Sequence, residues 1–242
     1  MKIATEQMVG DIAAEHPGTI PVFMEMKIDY CCGGRRSLKE ACDTAGIPVE
    51  KVTGLLEKIE DPLFGSGQKR EWQGNRIADL IQHLLDKHHV YTRNQLSLVK
   101  ALCDKVLRVH GEKHPELAEI ADLYEEMRSE LIDHMGKEEH VAFPYLKVLE
   151  EAVEKRKADE IPFPFEIFKN QPQRVLMADH EMVGDQLAQL RNLTNDFTPP
   201  EGACPTFRAF YRGFEELEAD LHQHIHLENN VLFPMAQKLA KG

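Results

Sequence analysis

HMGKEEHVAFPYL, residues 134–146, sets the reading of the whole chain. His134 and Glu138 fall on an apolar seam that runs Leu117, Ile120, Tyr124, Met127, Leu131, His134, Glu138, Val141 and Tyr145. That spacing is one face of an amphipathic helix, so two polar groups stand where core residues belong. Adding 90 to each position yields a second seam, from Phe207 through Phe210, Phe214, Leu217 and Leu221 to His224, Glu228, Val231 and Met235. VAFP at 141–144 returns as VLFP at 231–234. Two further seam histidines complete the repeat: His89 precedes His134 by 45 positions, and His180 precedes His224 by 44. Each half is therefore expected to be a helical hairpin giving one His from its first helix and His-x-x-x-Glu from its second. Residues i and i+4 share a helix face one turn apart. Two such hairpins form a four-helix bundle with four His and two Glu converging on its middle.

The pattern predicts an all-α fold. Four long helices follow Asn75, and strand-like alternation is absent. Residues 1–60 read as a small helical domain: Thr5 caps a helix carrying Met8, Val9 and Ile12, a second runs from about Ile20 to Tyr30, and Ser37–Glu40 forms a capping box for a third that ends at Gly46. Pro48 opens a fourth, with Val49, Val52, Leu55, Leu56 and Ile59 on one face. Residues 61–74 read as a linker on the Gly and Ser of DPLFGSGQKR, and 75–242 as the bundle. Asp159–Pro172 reads as a loop between its halves.

Composition excludes several classes of function. With 29 basic against 41 acidic residues, the net charge of −12 argues against nucleic acid or an anionic membrane as partner. No apolar run reaches the roughly 18 residues of a membrane span. The start, MKIATEQMVGDIAAEHPG, lacks a secretory h-region, so a cytoplasmic protein is expected. The five cysteines are odd in number, and Cys31 and Cys32 are adjacent, which disfavours a disulfide framework.

A lone seam histidine is ordinarily a satisfied core residue. Six polar groups in one core layer are another matter. Each costs about 2–7 kcal/mol without a partner, against a typical stability of about 5–15 kcal/mol. A metal centre satisfies them more economically than a hydrogen-bond network. Six donors exceed the four of a tetrahedral zinc site. With both glutamates bridging and an oxo or hydroxo group shared, they fill about ten of the twelve positions of two octahedral ions; imidazole and carboxylate favour iron, with manganese and zinc as the alternatives. His88 neighbours His89 but lies off the Leu85–Leu96 stripe. His83, His140, His222 and His226 are expected at the surface or behind the donors. Glu139 is expected to face a neighbour or solvent, and Asp179, Glu181 and Asp220 stand near enough in sequence to accept a ligand histidine's other N–H.

At these residues the chain resembles haemerythrin-like di-iron domains. In the second helix of each half it carries His-x-x-x-Glu where the five-histidine oxygen carriers use a His-x-x-x-x-Asp element. The symmetric donor set, with DYCCGG near the start and HxxLENNVLFP near the end, resembles the repair-of-iron-centres proteins over nearly the whole length. The resemblance implies two iron ions per chain, held by His89, His134, Glu138, His180, His224 and Glu228 with the glutamates bridging. It implies a stress protein that restores iron–sulfur clusters damaged by nitric oxide or oxidants by donating iron, with damaged iron–sulfur proteins as partners and a homodimer as the expected assembly. Reduction of nitric oxide at the two irons, or sensing or storage of O2 or NO, are the competing readings. Cys31 and Cys32 are expected to act after iron is loaded, by accepting iron, passing electrons or docking a recipient. The bland alternative is a helix-ending turn with two packed cysteines. Cys42, Cys103 and Cys204 are expected to be structural.

Overall fold

The computed structural model describes residues 3–59, 76–155 and 172–239. The expected linker and nearly all of the expected Asp159–Pro172 loop lie outside the described residues; Pro172 itself begins a helix. Among the described residues all regular elements are helical, and one isolated bridge pairs Met8 with Ser37. No described helix is long and apolar enough to cross a membrane. The chain divides into two compact units, residues 81–222 and residues 1–80 with 223–242.

In chain order the helices are α1 (Val9–Glu15), α2 (Ile20–Glu25), α3 (Leu38–Ala45), α4 (Val49–Leu56), α5 (Ile77–His83), α6 (Val90–His110), α7 (Glu116–Lys137), α8 (Phe143–Glu154), α9 (Pro172–Leu193), α10 (Pro205–His226) and α11 (Phe233–Leu239). The unit spanning 81–222 packs four helices together and covers only part of the 75–242 assigned to the bundle from the sequence. Its core joins Leu96, Val99 and Cys103 of α6, Leu117, Tyr124 and Leu131 of α7, Val183 and Leu187 of α9, and Phe207, Phe210, Phe214 and Leu221 of α10. The Tyr124 hydroxyl, buried in that core, donates to the Leu96 carbonyl at 2.6 Å.

The helices differ from the expected regular seam at one recurring point. Single wide turns, Leu84–His89, Glu138–Ala142 and Leu227–Leu232, join α5 to α6, α7 to α8 and α10 to α11. In each, a backbone N–H reaches five residues back: Val90 to Leu85, Phe143 to Glu138, Phe233 to Glu228. Such π turns insert one residue into an α-helix and often mark functional sites. Two of them precede the Phe-Pro of VAFP and VLFP. A proline cannot donate to the carbonyl four residues back and its ring clashes with it; a wider turn relieves both. No proline accompanies Leu84–His89.

The inserted residue moves the stripe. Val141, expected on the seam, is 53% exposed, and Ala142, Phe143 and Leu146 are buried instead. The same shift buries Leu232, Phe233 and Ala236 in place of Val231 and Met235. In the first wide turn it buries Leu84 rather than Leu85, and His88 as well as His89.

In the other unit, α3 has the expected capping box, with Ser37 and Glu40 bonding each other's backbone N–H, and ends at Gly46 in the left-handed region at φ 68°. Thr5 does not cap α1. The helix begins after Met8, and the N–H groups of Val9 and Gly10 donate to the carbonyls of Arg36 and Gly34 instead. The loop after Cys32 therefore caps α1. Its core joins Val9, Ile12, Phe23, Tyr30, Leu38, Val52 and Leu56 with Ile225. His226, expected off the core, is 3% exposed, its ring edge-on to Tyr30. Burial pushes its pKa down to about 4, so it is neutral at pH 7 and takes the Asn230 side-chain amide at Nδ1, 3.0 Å away.

Asn230 lies between two glycines. A Cβ on Gly10 would stand 2.4 Å from its Oδ1, and one on Gly34 would stand 2.6 Å from the same atom and 2.8 Å from the Tyr30 carbonyl. Gly34→Ala is expected to lower stability by about 1–3 kcal/mol through overpacking. Gly54→Ala, in helix α4 with nothing near the new methyl, is expected to raise it by about 0.5–1 kcal/mol. Chemical denaturation of the full chain checks both; equal effects would show that the close approach carries no energy.

Candidate metal centre

All six seam donors are buried: His89 at 2% exposure, His134 at 4%, Glu138 at 0%, His180 at 2%, His224 at 3% and Glu228 at 0%. The described residues contain buried groups of His and Glu donors whose ligand atoms lie within 4.8 Å of one another. Glu138 belongs to two of them, with His89 in one and with His134 and His180 in the other.

Glu138 presents a different histidine to each oxygen. His89 Nε2 lies 3.3 Å from Oε2, and His134 Nε2 lies 3.1 Å from Oε1. His180 Nε2 faces His134 Nε2 at 2.9 Å. Behind two of these rings stands a carboxylate. Glu139 accepts from His89 Nδ1 at 2.7 Å, and Asp179 pairs with His134 Nδ1 at 3.1 Å. A cation stands behind each carboxylate in turn: Arg93 holds both oxygens of Glu139 at 2.9 and 3.0 Å, and Lys137 holds Asp179 at 2.8 Å. Burial alone would push the Glu139 carboxyl up, but its bonds from His89 and Arg93 outweigh it and hold the group below the usual carboxylate range. Asp179 behaves likewise, the bonds from Lys137 and His134 outweighing its burial. Both stay ionised and keep the ring proton on Nδ1, which turns the Nε2 lone pair inward.

The inward atoms fit metal coordination. Donors about 2.1 Å from one ion stand roughly 3.0 Å apart at right angles, or about 3.4 Å at tetrahedral angles. The distances of 2.9, 3.1 and 3.3 Å fall in that range. In the other unit His224 Nε2 lies 3.3 Å from Glu228 Oε1, reproducing the His134–Glu138 geometry at the repeat position.

Among the other expected residues, Asp220 pairs with His88 rather than with a seam histidine, at 3.0 Å. His88 is fully buried yet belongs to neither donor group. Glu181 is exposed, as is His140. The sequence assigns Glu139 no partner, because its bond to His89 spans 50 residues and no local pattern marks it.

Cys31 is 4% exposed, and Cys32 is partly exposed. A hydrogen bond to Cys32, then burial, pushes the Cys31 thiol well up, so it is no activated nucleophile at pH 7. Cys42 and Cys103 lie in the two cores, and Cys204 Sγ lies 3.3 Å from His110 Nε2.

Outward carboxylates typically tune metal affinity about 10–100-fold. Glu139→Gln and Asp179→Asn are each expected to weaken metal binding by about that factor with the helical content unchanged. Competition titration with a chromophoric chelator measures it, and unchanged affinity in both variants would remove the outward acceptors from the site.

The sequence matches known families and proteins. Residues 80–236 match the haemerythrin HHE cation-binding domain, and residues 5–60 match the ScdA_N family, a domain of unknown function. The iron–sulfur cluster repair proteins YtfE of Yersinia pseudotuberculosis (serotype IB, strain PB1/+) and Yersinia pestis (strain Pestoides F) are each 34% identical over 230 residues, covering 95% of this chain and 96% of theirs. The two family matches and the relatives together cover nearly the whole length, and the chain belongs to the haemerythrin-like family of iron–sulfur cluster repair proteins.

Proposed function

We propose that this protein repairs iron–sulfur clusters damaged by nitrosative or oxidative stress, holding two iron ions at His89, His134, Glu138, His180, His224 and Glu228 and donating iron to the damaged protein. The observation that carries the reading is Glu138, fully buried with an imidazole nitrogen on each oxygen. A carboxylate so placed suits a bridge between two cations, whose mutual repulsion it offsets. The repeat supports giving His224 and Glu228 the same part. The 34% identity to the YtfE relatives, over nearly the full length of both chains, supports the repair reading.

When bound, the irons supply redox chemistry and an exchangeable metal ion. The chain's own residues prepare the place. Glu139 and Asp179 hold the Nδ1 protons of His89 and His134, so a cation meets lone pairs and no proton need leave those rings. No thiolate stands among the six donors, which suits a centre that gives its metal up. We assign residues 1–60 and 75–242 separate tasks, the first carrying Cys31 and Cys32 for a step after iron loading, the second carrying the iron. The setting is the cytoplasm, the partners are damaged iron–sulfur proteins, and the assembly is a homodimer.

His134→Ala and His224→Ala are expected to lose metal to a similar degree, since each belongs to one half of the repeat. Fully loaded protein is expected to hold about two irons per chain, measured by elemental analysis. Incubation with a nitric-oxide-damaged iron–sulfur enzyme should restore that enzyme's activity, and neither variant should do so. One iron per loaded chain would refute the dinuclear site. Formation of nitrous oxide from nitric oxide with no restoration of the recipient would replace repair by nitric oxide reduction.

A further inference from the structure

The turn that joins α2 to α3, residues Asp29 to Gly34, places three donor atoms together apart from the seam donors. Cys31 Sγ and Cys32 Sγ are 3.8 Å apart, and Cys31 Sγ lies 3.4 Å from Asp29 Oδ1. All three donors fall within 4.8 Å of one another. Side chains of consecutive residues ordinarily diverge. Here the turn makes them converge, because Asp29 folds back over the loop and accepts the N–H groups of Cys31, Cys32 and Gly33 at 3.2, 2.9 and 2.8 Å. Gly33 permits this: a Cβ there would stand 2.8 Å from Asp29 Oδ2.

The distances match a coordination polyhedron. With metal–sulfur bonds of about 2.3 Å and metal–oxygen bonds of about 2.0 Å, tetrahedral angles set sulfur about 3.8 Å from sulfur and about 3.5 Å from oxygen. The competing fate of a thiol pair, a disulfide, fits poorly. Adjacent Cα atoms across a trans peptide are about 3.8 Å apart, below the roughly 4.4–6.8 Å that disulfides span, and no peptide bond among the described residues is cis.

The loop is also held from behind. The side-chain amides of Asn229 and Asn230 donate to the carbonyls of Cys31 and Tyr30 at 3.3 and 3.0 Å. The donors therefore need little ordering to receive an ion. Asp29 is exposed and Cys32 partly so, which leaves an approach from solvent.

We propose that Asp29, Cys31 and Cys32 form a second metal site, which chelates one thiophilic divalent cation of the zinc or ferrous class and leaves a fourth position open. Two thiolates and a carboxylate suit a borderline-soft ion. Binding replaces two S–H bonds by two metal–sulfur bonds and releases two protons, with no change of oxidation state. The site is separate from the seam donors and takes its ion whether or not the protein repairs clusters.

Cadmium is the probe. Iron-loaded protein, kept reduced and anaerobic, is titrated with Cd2+ while the ultraviolet thiolate-to-cadmium absorption is followed, and Zn2+ is then added to displace it. The expected result is a saturable band at one equivalent, abolished in Cys31→Ser and in Cys32→Ser, with the iron spectrum unchanged. Asp29→Asn keeps an oxygen for the loop amides and is expected to retain the band but weaken affinity by at least the roughly tenfold that loss of a supporting group around a metal costs. Circular dichroism and thermal melting confirm that the variants fold; Cys32→Ser, at the more exposed position, serves if Cys31→Ser does not. A missing band, a half-strength band surviving in each single variant, or wild-type affinity in Asp29→Asn would each overturn the three-donor site.

Discussion

A fully buried carboxylate is the constraint around which the bundle is built. Glu138 has no exposed surface, and an isolated buried charge is among the most costly groups a core can hold. Two imidazoles face it, a carboxylate backs each imidazole, and a cation backs each carboxylate. Those lines, Arg93–Glu139–His89 and Lys137–Asp179–His134, meet at the same buried group from opposite sides. With the rings neutral, three carboxylates stand against two cations. The surplus negative charge sits at the innermost point, which is where a metal cation relieves it.

The two halves of the repeat share a frame and then part. After Glu138 comes Glu139, which anchors a histidine ring. After Glu228 comes Asn229, which holds the Cys31 carbonyl instead. The wide turn is common to both positions, and in each it gives the residue following the glutamate its own direction. One duplicated helix thus holds a buried histidine ring in one half, and ties itself to the cysteine loop in the other.

The donor seam is legible in the sequence because polar residues at helical core spacing, twice over and 90 residues apart, would cost the fold its stability without a cation to satisfy them. The Ser37 capping box and the Gly46 helix end are legible because both are local. The exposure of Val141 is not, nor is the burial of His88 beside His89. A period of 3.6 residues cannot register an inserted residue, and the only local sign of one is Phe-Pro at 143–144 and 233–234. Asp179, Glu181 and Asp220 are all credible acceptors by proximity. Choosing among them takes the third dimension, since the bonds that matter join residues 45 and 132 positions apart. The same holds for α1, whose cap is a pair of carbonyls from the cysteine loop and not the nearby Thr5.

The anchors of that loop have a consequence for how the protein is made. Asn229 and Asn230 reach residues 198 and 200 positions earlier in the chain. During synthesis the cysteine loop leaves the ribosome long before its anchors do. Its closure must also overcome the chain entropy of a very long loop, a cost that rises only as the logarithm of length. A nascent or truncated chain that stops short of Asn229 therefore has its thiols without the amides that fasten them. The finished arrangement of Cys31 and Cys32 waits on residues made about 200 positions later.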